Sequence, residues 1–143
     1  MTDADTTGRI RRFLLGLTTL IFALTPVELW LADHTGEPAQ AIPFVLCGLG
    51  LAAVAGVLWR PVRWTLVALR GAMVLVAAGG VAGGALHLIG NVRFEQEIRP
   101  SATLVEAFLN GLKGVNPLLA PGLLVIAALI ALAATYDHPA MKP

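Results

Sequence analysis

From Ile42 to Val92 the chain reads IPFVLCGLGLAAVAGVLWRPVRWTLVALRGAMVLVAAGGVAGGALHLIGNV, and the fold is decided at the middle of that stretch. Trp59-Arg60-Pro61-Val62-Arg63-Trp64 separates two apolar runs, Ile42 to Trp59 and Leu66 to Val92. Each is near or above the roughly 20 residues a helix needs to cross about 30 Å of hydrocarbon. Lipid offers the backbone no hydrogen-bonding partner, so such runs are read as helices. Between them, two indoles suit headgroup depth, two guanidiniums suit anionic lipid, and proline interrupts the helix. The stretch predicts an antiparallel helical hairpin that turns at a membrane boundary.

Outward from the hairpin, Phe13 to Ala32 and Leu118 to Tyr136 repeat the pattern. Composition agrees: 57% of residues are hydrophobic and 13% charged, against about 45–50% and 25% in soluble domains. The expected fold class is all-α, a four-helix transmembrane bundle forming one integral membrane domain over 1–143. Its spans fall at about 12–32, 42–60, 64–93 and 117–136, with disorder over 1–8 and a C-terminal tail over 137–143. Arg9, Arg11 and Arg12 before the first run resemble the start of a signal peptide. Pro26 and Glu28 near its end, and Trp30 before Ala32, spoil a cleavage site, so an uncleaved first helix is expected.

Orientation follows from Lys and Arg. With an even number of spans, the termini share a side with the hairpin turn. That side carries Arg9, Arg11, Arg12, Arg60, Arg63, Arg70 and Lys142, against Arg93, Arg99 and Lys113 on the other. The positive-inside rule puts both termini in the cytoplasm of a multi-pass plasma membrane protein, the bacterial inner membrane being the best fit. Arg70, within the third run, is expected to snorkel to the headgroups. A formal charge of +1 without a long basic run points away from nucleic acid. The single cysteine, Cys47, lies in an apolar run and reads as a buried thiol.

The outer connections differ. Asp33 to Pro38 is a short polar turn, whereas Arg93 to Asn116 is long enough to need structure of its own. There Thr103 and Glu106 have capping-box spacing, and Leu104, Val105, Phe108, Leu109 and Leu112 recur at helical spacing opposite Glu106, Asn110 and Lys113. This predicts a short amphipathic interfacial helix over about 103–113, stopped by Gly114. Asn116-Pro117 suits the cap and first residue of the last span.

Candidate chemistry concentrates at that outer side. Gly79, Gly83, His87, Asn91 and Glu95 recur every four residues and form a slowly drifting stripe on the third span. The glycines, with Gly80 and Gly84, make a smooth face for helix packing, inside the chain or against a membrane partner or second copy. Above them the stripe turns polar. On the first span Thr18, Thr25 and Glu28 are read as one face, with Glu28 at the depth of His87. A charge in lipid is costly, so Glu28 is expected to face the protein and to pair with His87.

Glu28, Asp33, His34, His87, Asn91, Glu95 and Glu97 are therefore read as converging in an outward-facing acidic pocket beneath the 103–113 helix. Glu28, Asp33, His87, Asn91 and Glu95 are its candidate ligand-binding residues. A divalent metal ion is one occupant such groups suit, with Glu28, His87 and Glu95 as candidate ligands, although His-x3-Asn-x3-Glu is no established metal motif. No other cofactor is implied. No nucleophile arrangement stands out, and the glycines of Gly79 to Gly84 lack the strand and lysine of a phosphate loop. The expected function is an accessory or transport-linked membrane protein that binds a small ligand or metal ion, with the question of enzymatic activity left open. The alternatives are a membrane enzyme working on an apolar substrate, with Glu28 or Glu95 and His87 as acid and base, or a purely structural subunit.

Overall fold

The computed structural model describes residues 3–142, with side chains from residue 5. Among these residues the regular structure is helical, with no strand. The elements are α1 (Asp3–Leu31), α2 (Ile42–Trp59), α3 (Arg63–Ile98), α4 (Leu104–Gly111) and α5 (Leu119–Ala134), with short 3-10 turns at Pro38–Ala41 and Pro139–Met141. Three helices, α1, α2 with its preceding turn, and α3, are long and apolar enough to cross a membrane, while α5 is apolar but has 16 residues.

Helix α1 shows how the pattern selects partners. Leu15, Thr18, Phe22, Thr25 and Leu29 are buried; they follow one another at alternating three- and four-residue steps, which keeps one stripe turned inward. The two threonines satisfy their hydroxyls within the helix, donating to the carbonyls of Leu14 (3.0 Å) and Ile21 (2.8 Å). The Phe22 ring is fully enclosed because Gly50 on α2 has no side chain; a Cβ there would lie 2.5 Å from the ring. Phe22 joins Val54, Leu66, Leu69, Met73 and Val76 in one core that α5 closes with Leu124, Ala127, Ala128 and Ala131.

Helix α1 packs against α2 and α5, and α3 packs against α2, α4 and α5, but among the described residues the α1 and α3 backbones do not come within packing distance of each other. This corrects the expected meeting of the first and third spans. The short α1–α2 and α2–α3 connections make chain neighbours adjacent, and α5 fills the space left between α1 and α3. Gly80 lets α5 come close, since a Cβ there would stand 2.8 Å from the Pro121 carbonyl oxygen.

The outer surface is apolar. Phe13, Leu24, Val45, Val74, Leu75, Val81, Leu86 and Leu129 are exposed, as are Trp59 (87%) and Tyr136 (80%). Soluble monomers rarely leave apolar patches of this extent uncovered. With three helices of spanning length, this is the surface of a membrane protein.

Regular structure extends toward both ends among the described residues. Helix α1 begins at Asp3, inside the segment expected to be disordered, while Met1, Thr2 and Pro143 lie outside the described residues. After α5 the chain reverses at Asp137 (φ 45°) into the 139–141 turn, whose Ala140 and Met141 pack on the core. Two arginines hold this end. Arg70 Nη2 donates to the Thr135 carbonyl (2.6 Å), and Arg11 Nη2 donates to the Asp137 carbonyl (3.0 Å). Arg70 thus does not reach for headgroups: the unsatisfied carbonyls at the C-terminus of α5 are the nearer acceptors for a cation. At the hairpin turn the Thr65 hydroxyl accepts the Val62 N–H (3.1 Å) and donates to the Arg60 carbonyl (2.6 Å).

Candidate functional site

The α3 stripe supplies the frame. An α-helix turns 100° per residue, so residues four apart drift by about 40° and successive members meet successive neighbours. Gly79 lies against Leu46 of α2, Gly80 and Gly83 against Pro121 of α5, His87 reaches the segment before α5, Asn91 reaches both ends of the α4–α5 linker, and Glu95 reaches α4. Gly84 has nothing within 4 Å of a built Cβ. Gly79, Gly80 and Gly83 thus face neighbouring helices of the same chain.

Asn91 is buried and structural. Its Nδ2 donates to the carbonyls of Gly111 (2.9 Å) and Asn116 (2.9 Å), and its Oδ1 accepts the Asn116 N–H (2.9 Å). Helix α5 starts at Leu119, with Leu118 as its N-cap, rather than at Asn116-Pro117. Glu95 is likewise occupied, paired with Arg99 and accepting from Asn110 (3.2 Å). Helix α4 is capped by Thr103 and Glu106, whose bonds to the Thr103 N–H and hydroxyl hold the Glu106 carboxyl below its ordinary range. It docks on α3 through Ala107 and Gly111 and leaves Leu104, Val105, Phe108 and Leu109 exposed.

Glu28 lies apart from all of these. It is exposed, and among the described residues no hydrogen bond or ion pair engages its carboxylate. The buried α1 stripe explains this: Glu28 precedes Leu29 by one residue and so points about 100° away from it. The expected Glu28–His87 pair does not form. Asp33, also exposed, has a backbone role. Its positive φ (53°) ends α1, with the His34 N–H bonding back to the Leu29 carbonyl (2.9 Å). That turn brings His34 to His87, ring centroids 6.1 Å apart and edge-to-face.

His87 is fixed by an orphan carbonyl. Pro121 has no N–H to offer the carbonyl four residues earlier, at Pro117, and His87 Nδ1 sits 2.7 Å from that oxygen instead. A carbonyl can only accept, so Nδ1 carries the proton and Nε2 of the neutral ring keeps a free lone pair. The two imidazoles stand at one end of a cavity of about 360 Å³ between the helices. Thr25 and Leu29 of α1, Leu46 of α2, Gly83 of α3 and Leu124 of α5 line its body, and Gln40 and Asn116 join the histidines among its polar groups. Helix α4 contributes none of the lining. Its volume lies within the range of about 300–1,000 Å³ typical of small-molecule sites, as does its character of apolar walls with few polar groups.

No known family model, curated protein or solved structure matches the chain.

Of the residues expected to form one pocket, the structure brings His34 and His87 together and sets Glu28, Asp33, Asn91, Glu95 and Glu97 elsewhere. Among the described residues no three His, Cys, Asp or Glu side chains lie close enough to hold a metal ion. The proposed Glu28, His87 and Glu95 ligand set is therefore corrected: one carboxylate faces outward and the other is bound to α4 and Arg99. Sequence reading missed Gln40, which carried no motif, Asn116, which it took only as a helix cap, and the Pro117 carbonyl, for which the N-P-x-x-x-P spacing of 116–121 was the available signal.

Proposed function

We propose that this chain is a four-span membrane protein, both termini cytoplasmic, whose outer-leaflet cavity binds a small amphipathic molecule. Its apolar body lies among Leu29, Leu46, Gly83 and Leu124, and its hydrogen-bonding head meets His34, His87, Gln40 and Asn116. The observation that carries this reading is the cavity itself: apolar walls closed at one end by two imidazoles, one of them with its tautomer set by the Pro117 carbonyl. In this reading α5 crosses with the other three helices, the arginines at the hairpin side face the cytoplasm, and the exposed apolar stripe of α4 rests in the outer interface. A bacterial inner membrane remains the proposed location, and the lipid bilayer the proposed surrounding.

A second reading has one observation in its favour. A fixed Nδ1–H leaves Nε2 of His87 as a base, so acid/base chemistry on the bound molecule would use His87 with His34 rather than Glu28 or Glu95. Turnover by the purified protein separates it from simple binding.

The test is photolabelling in lipid nanodiscs with a diazirine-bearing medium-chain alcohol. Saturable labelling of peptides holding Ile42–Leu46 and Gly79–His87 is expected. Gly83→Leu, which fills the cavity, should remove most of it, whereas Gly48→Leu, built into open space, should not. Labelling spread over the exposed apolar residues Phe13, Val74 and Leu129, outside the cavity, and indifferent to Gly83→Leu would contradict the reading.

A further inference from the structure

We infer that the opposite end of the molecule holds a second, independent site, for a phosphate-bearing anion, in the cleft between the start of α1, the α2–α3 turn and the end of α5. The cleft encloses about 280 Å³ and is lined by Arg11, Arg12, Leu15, Pro61, Thr135 and His138, among others. Among the described residues no carboxylate lines it.

Its donors are arranged for an oxyanion. Arg11 is held in place by the carbonyls of Tyr136 (3.3 Å) and Asp137 (3.0 Å), which leaves donors of its planar fork for a ligand. Arg12 is exposed, and among the described residues its guanidinium has no hydrogen-bond or ion-pair partner. His138 Nδ1 accepts the Ala140 N–H (3.2 Å), so the proton of the neutral ring is on Nε2, a third donor. The nearest acid in sequence, Asp137, is paired with Lys142 (3.2 Å).

The charges facing His138 agree with this. Arg11 on α1 and Arg70 on α3 both repel an imidazolium, and with burial, the largest cause, they hold its pKa below the ordinary histidine value. An anion seated in the cleft would reverse that field. Arginine forks match phosphate oxygens two at a time, which favours phosphate over halide. Leu15 and Val57 continue the wall toward the apolar belt, so the phosphate of an anionic lipid fits as well as a free phosphate.

Titrating the imidazoles by NMR in nanodiscs tests this, because the chain has three histidines and His34 and His87 at the far end are internal controls. The His138 pKa is measured in zwitterionic lipid, with added anionic diacyl phospholipid, and with inorganic phosphate at matched ionic strength. A rise of about one pH unit at His138 alone is expected. Arg12→Gln removes a charged donor without disturbing a packed group, and should weaken the effect roughly tenfold in apparent affinity. A rise with the lipid alone identifies a headgroup site, and a rise with both identifies a phosphate site open to water; either supports the inference. No rise in either arm, or an equal rise in wild type and Arg12→Gln, which would reflect general surface potential, overturns it.

Discussion

Asn91 uses both donors of its amide and an acceptor position in closing the α4–α5 linker onto α3. Gly114 passes so close that a Cβ there would overlap the Asn91 side chain. Asn91→Ala leaves buried backbone groups without partners, each at about 1–3 kcal/mol. A loss of about 2–4 kcal/mol is therefore expected in a reversible unfolding assay in bicelles, with the 111–117 segment exchanging amide hydrogens faster. At this scale the sequence was half legible. It marked His87 and Asn91 as the polar residues of an apolar helix, because such groups are costly unless satisfied. It could not say by what, since both are satisfied by backbone carbonyls, and carbonyls carry no signature in side-chain spelling. Arg70 was misread for the same reason: its acceptor is the Thr135 carbonyl.

At the scale of elements, periodicity carried most of the information. The α2–α3 hairpin turns where Trp59 to Trp64 predicts, and the capping-box spacing marks the start of α4 at Thr103. The error at Glu28 was an error of phase: grouping it with Thr18 and Thr25 overlooked the tighter stripe 15, 18, 22, 25 and 29, which places position 28 outside. The glycines of α3 were read as one packing face, yet the helix divides them among neighbours. Gly80→Val should separate α3 from α5 and cost about 1–3 kcal/mol, as overpacking does. Gly84→Ala, with open space around it, should be neutral or stabilising by about 0.5–1 kcal/mol through helix propensity. Thermal or denaturant unfolding of the two variants side by side separates a shared face from a divided one.

At the scale of the whole molecule, short connections determined that chain neighbours pack side by side, but not which helices would end up diagonal. That depended on α5, which packs its small residues Ala127, Ala128 and Ala131 into the core and separates α1 from α3. The consequence is an interhelical cavity in place of a carboxylate–imidazole bridge, with His34 arriving from the α1–α2 connection instead of Glu28 from α1 itself. The most direct measurement of this arrangement is nitrogen-15 NMR of the histidine side chains in lipid nanodiscs. His87 protonated at Nδ1 with Nε2 bare, and a through-space signal between the His34 and His87 rings, are expected. A His87 protonated at Nε2 instead, with no magnetisation passing to His34, would contradict this arrangement.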